Sequence, residues 1–153
     1  MITRFTAYIK ESRKSLDELE TLTPNELWEI MNDEIHKMDK NMGYIQDLID
    51  AGCPIDARDN LGWTALHWGV FDKHPELVEM LLSGGAELNA LDHKNRSPLY
   101  VATKGGNLEI IRLLLSKGAQ VDIKDDMGFI PWDYASYRVK RDIPELEPNY
   151  LIS

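Results

Sequence analysis

The chain has 153 residues, 43% apolar and 28% charged, which is the composition of one folded domain and excludes a largely disordered segment. With 26 acidic against 17 basic side chains its net charge is −9, so non-specific attraction to nucleic acid or to an anionic lipid surface is excluded, and a neutral or basic protein is the easier partner. Cys53 is the single cysteine, which rules out an internal disulfide and points to a reducing compartment, with the cytosol as the expected location.

Taken in chain order, residues 1–22 read as an N-terminal helical extension. Phe5, Tyr8 and Ile9, followed by Leu16, Leu19 and Leu22 behind a Ser15/Glu18 capping box, predict one or two short helices. The N-terminus lacks the run of roughly 7–15 apolar residues that a secretory signal needs, and nothing approaches the ~20 apolar residues of a membrane span. The chain is therefore expected to be neither exported by the general route nor embedded in a membrane. Residues 23–58 predict a helix pair. Thr23 and Glu26 form a second capping box, Leu27, Ile30, Met31, Ile35 and Met38 recur at helical spacing, and another helix follows Met42.

From Asp59 the sequence repeats itself. DNLGWTALHWGV from Asp59, DHKNRSPLYVAT from Asp92 and DDMGFIPWDYAS from Asp125 are separated by 33 residues each time. Within a period, Thr64 or Ser97 caps a first helix, and Pro98 takes the first helical position, where its missing N–H costs nothing. A second helix starts near Pro75 or Asn107, carries Leu77, Val78, Leu81 and Leu82 (or Leu108, Ile111, Leu114 and Leu115), and stops at Gly85 or Gly118. Such a helix pair leaves an apolar side that only a stacked neighbour can cover, so the expected architecture is an all-α solenoid. Its repeats are residues 59–91 and 92–124, with a truncated repeat at 125–138 that ends after its first helix. Residues 139–153, with two prolines and little periodicity, are expected to run as an extended tail, the whole forming a single domain.

The motifs resemble the ankyrin-repeat family, whose signature is Gly-x-Thr-Pro-Leu-His-x-Ala followed by Leu-Leu-x-x-Gly-Ala. Gly62, Thr64, Leu66 and His67 fit it in the first full repeat, Pro98, Leu99, Ala102 and Gly106 in the second, and Gly128, Pro131 and Ala135 in the third. Departures are Ala65 for Pro, Gly69 for Ala, Lys73 and Asn95 for Gly, and Tyr100 for His. Residues 23–58 then read as a degenerate capping repeat. The resemblance implies stacked helix-turn-helix pairs with β-turn or hairpin tips, and a structural role for His67, whose ring would hydrogen-bond the turn backbone. It also implies that partners bind on the turn tips and the exposed side of the first helices, which form a concave face.

Carried over by position, the candidate partner-binding residues are Asn60, Leu61, Trp63, Phe71 and Asp72 in the first repeat. His93, Lys94, Arg96 and Lys104 follow in the second, then Met127, Phe129 and Tyr137, with Arg138 beside them. Trp63, Arg96 and Phe129 occupy equivalent positions, so an aromatic, arginine, aromatic row is expected along one edge, in residue types that dominate interface energetics. The competing arrangement tucks Phe71, Tyr137, Trp63 or Phe129 into the grooves between repeats. Trp68 and Trp132 adjoin signature core positions and are assigned to packing.

Other chemistries do not assemble. His36, His67, His74 and His93 lack zinc spacing with the lone cysteine, so no metal or other cofactor is expected. The acidic loops before Gly62 and Gly128 place Ala57 and Leu61, or Ile123 and Met127, where a calcium loop needs oxygen ligands. Asn95-Arg96-Ser97 is a glycosylation sequon followed by Pro98 and is read as accidental. No catalytic residue is identified. Asn89, preceded by Leu81, Glu87 and Leu88, stands in the context in which ankyrin proteins of animals are hydroxylated, and is a candidate modification site. The sequence points to a monomeric, cytosolic interaction module, an inhibitor or adaptor, that binds another protein and neither nucleic acid nor membrane. The alternative is a small effector or complex subunit in which residues 1–44 supply activity or self-association.

Overall fold

The computed structural model describes residues 15–38 and 40–148, and among them every regular element is a helix. The helices expected around Phe5, Tyr8 and Ile9 lie outside the described residues. Where size alone suggests one domain, the chain divides into two compact units at Ala57/Arg58, the point where the signature repeats begin.

In the first unit, α1 (Leu16–Leu19), α2 (Pro24–Ile35) and α3 (Met42–Asp50) follow the expected starts. The Thr23/Glu26 capping box forms, with the Thr23 amide donating to Glu26 at 2.8 Å; at Ser15 the amide donates to Glu18 at 2.8 Å, while the Glu18 amide bonds the Ser15 carbonyl instead of its hydroxyl. α2 ends before Met38, which is fully exposed rather than part of the apolar stripe. The link to α3 is held by the buried Glu34, whose two carboxylate oxygens accept the Asn41 amide at 2.8 Å and the Lys37 ammonium at 2.5 Å. Leu19, Leu27, Met31, Ile35, Ile45 and Leu48 form the core, each contributing about 1.5–3 kcal/mol relative to an exposed side chain.

The second unit repeats turn, helix, helix. α4 (Ala65–Phe71) and α5 (Pro75–Ser83) form one pair, α6 (Pro98–Gly105) and α7 (Leu108–Ser116) the next, and α8 (Pro131–Tyr134) begins a third. First helices stack on first helices, α4 on α6 and α6 on α8, while α5 stacks on α7. Leu66, Leu77, Val78, Leu81, Leu99, Ile110, Ile111 and Leu114 are fully buried between these layers, while Leu82, Leu108 and Leu115 of the expected stripe are half-buried. The second helices end as predicted. Past α5, the amides of Gly85 and Ala86 donate to the carbonyls of Leu82 and Leu81, and past α7 those of Gly118 and Ala119 donate to Leu115 and Leu114.

The C-terminal segment is not the extended tail that its prolines suggest. Ser136 caps a further helix, α9 (Tyr137–Asp142), and Pro144 opens a short 3₁₀ turn, Pro144–Leu146. Val139, Ile143 and Leu146 are spaced four and three residues apart, and all three are buried. Arg112 of α7 ties this segment down by donating to the Asp142 carbonyl at 2.7 Å. The third repeat therefore has a second helix. It begins early because α8 spans four residues, against seven in α4 and eight in α6.

Each turn starts on an aspartate that closes it from both ends. One oxygen of Asp59 accepts the amides of Leu61 and Trp63 at 2.8 and 2.9 Å, that of Asp92 those of Lys94 and Arg96 at 2.8 and 2.9 Å, and that of Asp125 those of Met127 and Phe129 at 2.9 and 3.0 Å. Neighbouring tips are joined by single backbone bonds, from the His93 amide to Leu61 and from the Asp126 amide to Lys94. His67 links two repeats: its Nδ1 accepts the Thr64 amide at 3.2 Å and its Nε2 donates to the Arg96 carbonyl at 3.1 Å. This is the structural role that the resemblance implies. Burial holds its pKa below the usual 6.5, outweighing the opposing pull of the Arg96 carbonyl.

Two positions test the turn geometry in opposite directions. Gly62 has φ +78°, and a Cβ there would lie 2.8 Å from the His93 amide nitrogen, so Gly62→Ala should destabilise the second unit by about 2–3 kcal/mol in urea unfolding. Lys73 holds φ +58° after α4, where glycine is the unstrained choice, so Lys73→Gly should stabilise it by about 0.5–1 kcal/mol. A second expectation concerns pH. Unfolded His67 takes up a proton near its ordinary value while the folded, buried ring resists it, so the unfolded chain binds more protons and stability falls as pH drops through 6.5. Urea midpoints measured from pH 7.5 down to about 5 should decline in the wild type and decline less in His67→Gln; equal slopes would assign the dependence to other groups.

Candidate protein-binding face

The second oxygen of each turn aspartate reaches the first-helix side, and there the repeats differ. Asp59 accepts the Trp68 indole N–H at 2.9 Å, and Asp125 the Tyr134 hydroxyl at 2.5 Å, nine residues on in both cases. In the middle repeat that place is Val101, which has no donor, so Asp92 takes the Trp63 indole N–H at 3.0 Å and the Arg96 guanidinium at 2.6 and 2.7 Å. Burial alone would raise the Asp92 pKa, but hydrogen bonds from Arg96, Lys94 and Trp63 overcome it and hold the carboxyl below the usual range. The bond that Tyr134 donates to Asp125 pushes the phenol up to about 12.

These anchors correct the expected surface row. Trp63 is buried, 8% exposed, because its ring lies against Trp68 (centroids 4.7 Å apart) and Phe71 (5.4 Å) while its N–H is committed to Asp92. Arg96 is half-buried, paired with Asp92 and lying 5.6 Å over the Tyr100 ring. Of the three, Phe129 alone is well exposed, edge-on to Tyr134 at 6.0 Å. In place of the expected aromatic, arginine, aromatic surface row, the structure leaves only that one side chain well exposed. Trp68 and Trp132 are half-buried, Trp68 donating its indole N–H to Asp59 and Trp132 lying 5.1 Å from the Lys140 ammonium.

The other candidates stand at the surface. Asn60, Leu61, His93, Lys94 and Met127 are exposed on the turn tips, and Phe71, Asp72 and Lys104 near the ends of α4 and α6. Tyr137 and Arg138 are exposed too, but they open α9 instead of closing a first helix, so the period does not carry them to the positions of Phe71 and Asp72. Asn89 is half-buried, and its side-chain oxygen accepts the Gln120 amide at 3.0 Å, clipping one repeat to the next.

Two grooves run along the first helices. One, of about 450 Å³, is lined by Trp63, Phe71, Lys73, Arg96, Tyr100 and Lys104 among others; the second, of about 360 Å³, by Lys94, Met127, Asp125 and Asp126. Both share a ridge of Arg96, Tyr100 and Lys104, with the Lys104 ammonium 5.7 Å from the Tyr100 ring and 6.0 Å from that of Tyr134. Sequence reading missed Tyr100, Tyr134 and Lys73 because it counted them as signature or helix positions. It also missed the anchoring aspartates, although their recurrence at the head of every turn was the available signal.

Elsewhere, burial pushes the Cys53 thiol up to about 12, so it stays protonated at neutral pH. Among the described residues no group of acidic, histidine and cysteine side chains is placed to hold a metal ion, and no helix is long and apolar enough to cross a membrane. The comparison with curated proteins found no match. A family model for ankyrin repeats, in three copies, matches residues 36–125, more than half the chain. Repeats of this family generally bind other proteins and are typically non-enzymatic. The period, the all-helical stack and the family match agree, and the chain belongs to the ankyrin-repeat family.

Proposed function

We propose that the chain is an interaction module that binds a partner protein through the turn tips and first-helix side of its second unit, acting as an inhibitor or adaptor. The observation that carries the reading is the placement of exposed apolar surface. Of the six large apolar side chains that stand most exposed among the described residues, four belong to the turns and first helices of the second unit: Leu61, Met127 and Phe129 on the turns and Phe71 at the end of α4, all in the candidate set. Large apolar side chains gathered on one side of a domain mark interaction sites more often than scattered ones do. Asn60, Asp72, His93, Lys94 and Lys104 supply polar groups around them. Neither the tips nor the grooves require a cofactor for this role. A monomeric protein of the cytosol is the accompanying proposal, supported by the single, buried Cys53 thiol.

The test uses Phe71 and Phe129, since removing the buried Trp63 would also damage the fold. Affinity capture from the native host with the wild type and with a Phe71→Ser, Phe129→Ser variant should recover a partner with the former and at least tenfold less with the latter, as expected for losing about 1–2 kcal/mol per anchor. Equal recovery by a variant whose circular dichroism and thermal midpoint match the wild type would contradict the assignment of this face.

A further inference from the structure

Within a chain of net charge −9, the groove between the first two signature repeats runs against the overall balance. Lys73, Arg96 and Lys104 line it and no carboxylate does, while Trp63, Phe71 and Tyr100 supply its apolar and aromatic walls. Arg96 is already neutralised by Asp92 at 2.6 Å. Among the described residues, Lys73 and Lys104 are exposed and neither is paired with a carboxylate. Lys104 is steadied over the Tyr100 ring, and the Lys73 stem reaches to 4.0 Å from where a Cβ on Gly105 would stand, so both ammonium groups border the same space. Lys73 does so from a left-handed backbone position that glycine would occupy without strain. Strain retained at the rim of a groove suits a functional side chain better than a structural one.

We propose that this groove receives an acidic side chain of an extended segment in the partner protein, with a neighbouring apolar residue of that segment packed against Phe71. The proposal rests on the interface reading above and gives it a partner chemistry. It also departs from what net charge implies: the whole chain favours a neutral or basic partner, whereas the local field of Lys73 and Lys104 selects a carboxylate. An acidic segment must approach a negatively charged protein, so contact at this groove depends on short-range pairing rather than long-range steering.

Panning a display library of random 12-residue peptides against the full chain tests it, with the enriched peptides synthesised and titrated by fluorescence anisotropy. Enrichment of Asp or Glu within a few residues of Leu, Phe or Trp is the expected result. Affinity for such peptides should fall at least tenfold in a Lys73→Asn, Lys104→Gln variant, in which asparagine keeps the left-handed turn accessible and both ammonium groups are removed. Enriched peptides that are neutral or basic, or acidic ones that bind the lysine variant unchanged, overturn the acidic partner. If those peptides nevertheless lose affinity to Phe71→Ser, Phe129→Ser, the interface reading survives alone. Peptides indifferent to all four substitutions, or a library that enriches nothing, overturn both.

Discussion

A carboxylate at the head of each turn does two jobs at once in the second unit. One oxygen of Asp59, Asp92 or Asp125 gathers two backbone amides and closes the turn, and the other reaches sideways to an aromatic or guanidinium donor. Backbone amides in a tight turn need partners, and a charged acceptor binds them more strongly than a neutral one. The same group that shapes the tip therefore decides which side chains near it are held and which are left for solvent.

The consequences differ from repeat to repeat because the lateral donor differs. Where it lies nine residues on, as with Trp68 and Tyr134, the bond stays within the repeat. In the middle repeat, with Val101 at that place, Asp92 recruits Trp63 from the preceding repeat and Arg96 from its own turn, and thereby ties two repeats together. Trp63 is drawn under Phe71, and Arg96 onto Tyr100. The groove at this joint, with its aromatic walls and lysine rim, is a by-product of that choice of donor. His67 reinforces the joint by binding the Arg96 carbonyl.

Much of the scaffold was legible in the sequence because local chemistry decides it. The capping box at Thr23, the caps at Thr64 and Ser97, and the glycines after α5 and α7 each satisfy backbone groups within a few residues of themselves. The 33-residue spacing then follows from stacking, since every pair must bury the same face. What was not legible depends on partners far along the chain. Trp63 reads as a surface residue until the Asp92 carboxylate, 29 residues away, is seen to hold its N–H. The helix at Tyr137–Asp142 was hidden by counting prolines instead of the Val139, Ile143, Leu146 stripe, and it moves Tyr137 out of the row that its number suggests. Lys73 was noted as a departure from glycine, but its strain and its position on the groove emerge only from the backbone angle and the surrounding side chains.

A double-mutant cycle on Trp63→Phe and Asp92→Asn, read as urea-unfolding free energies of the full chain, probes the anchor directly. Asparagine preserves the shape of the turn residue, and phenylalanine keeps an aromatic ring while removing the N–H, so the cycle isolates the bond from packing. If the turn carboxylate holds the aromatic wall in place, the two substitutions should couple by about 1–3 kcal/mol. Effects that add to within about 0.5 kcal/mol would mean that Trp63 is seated by ring packing alone and that Asp92 does not organise the groove.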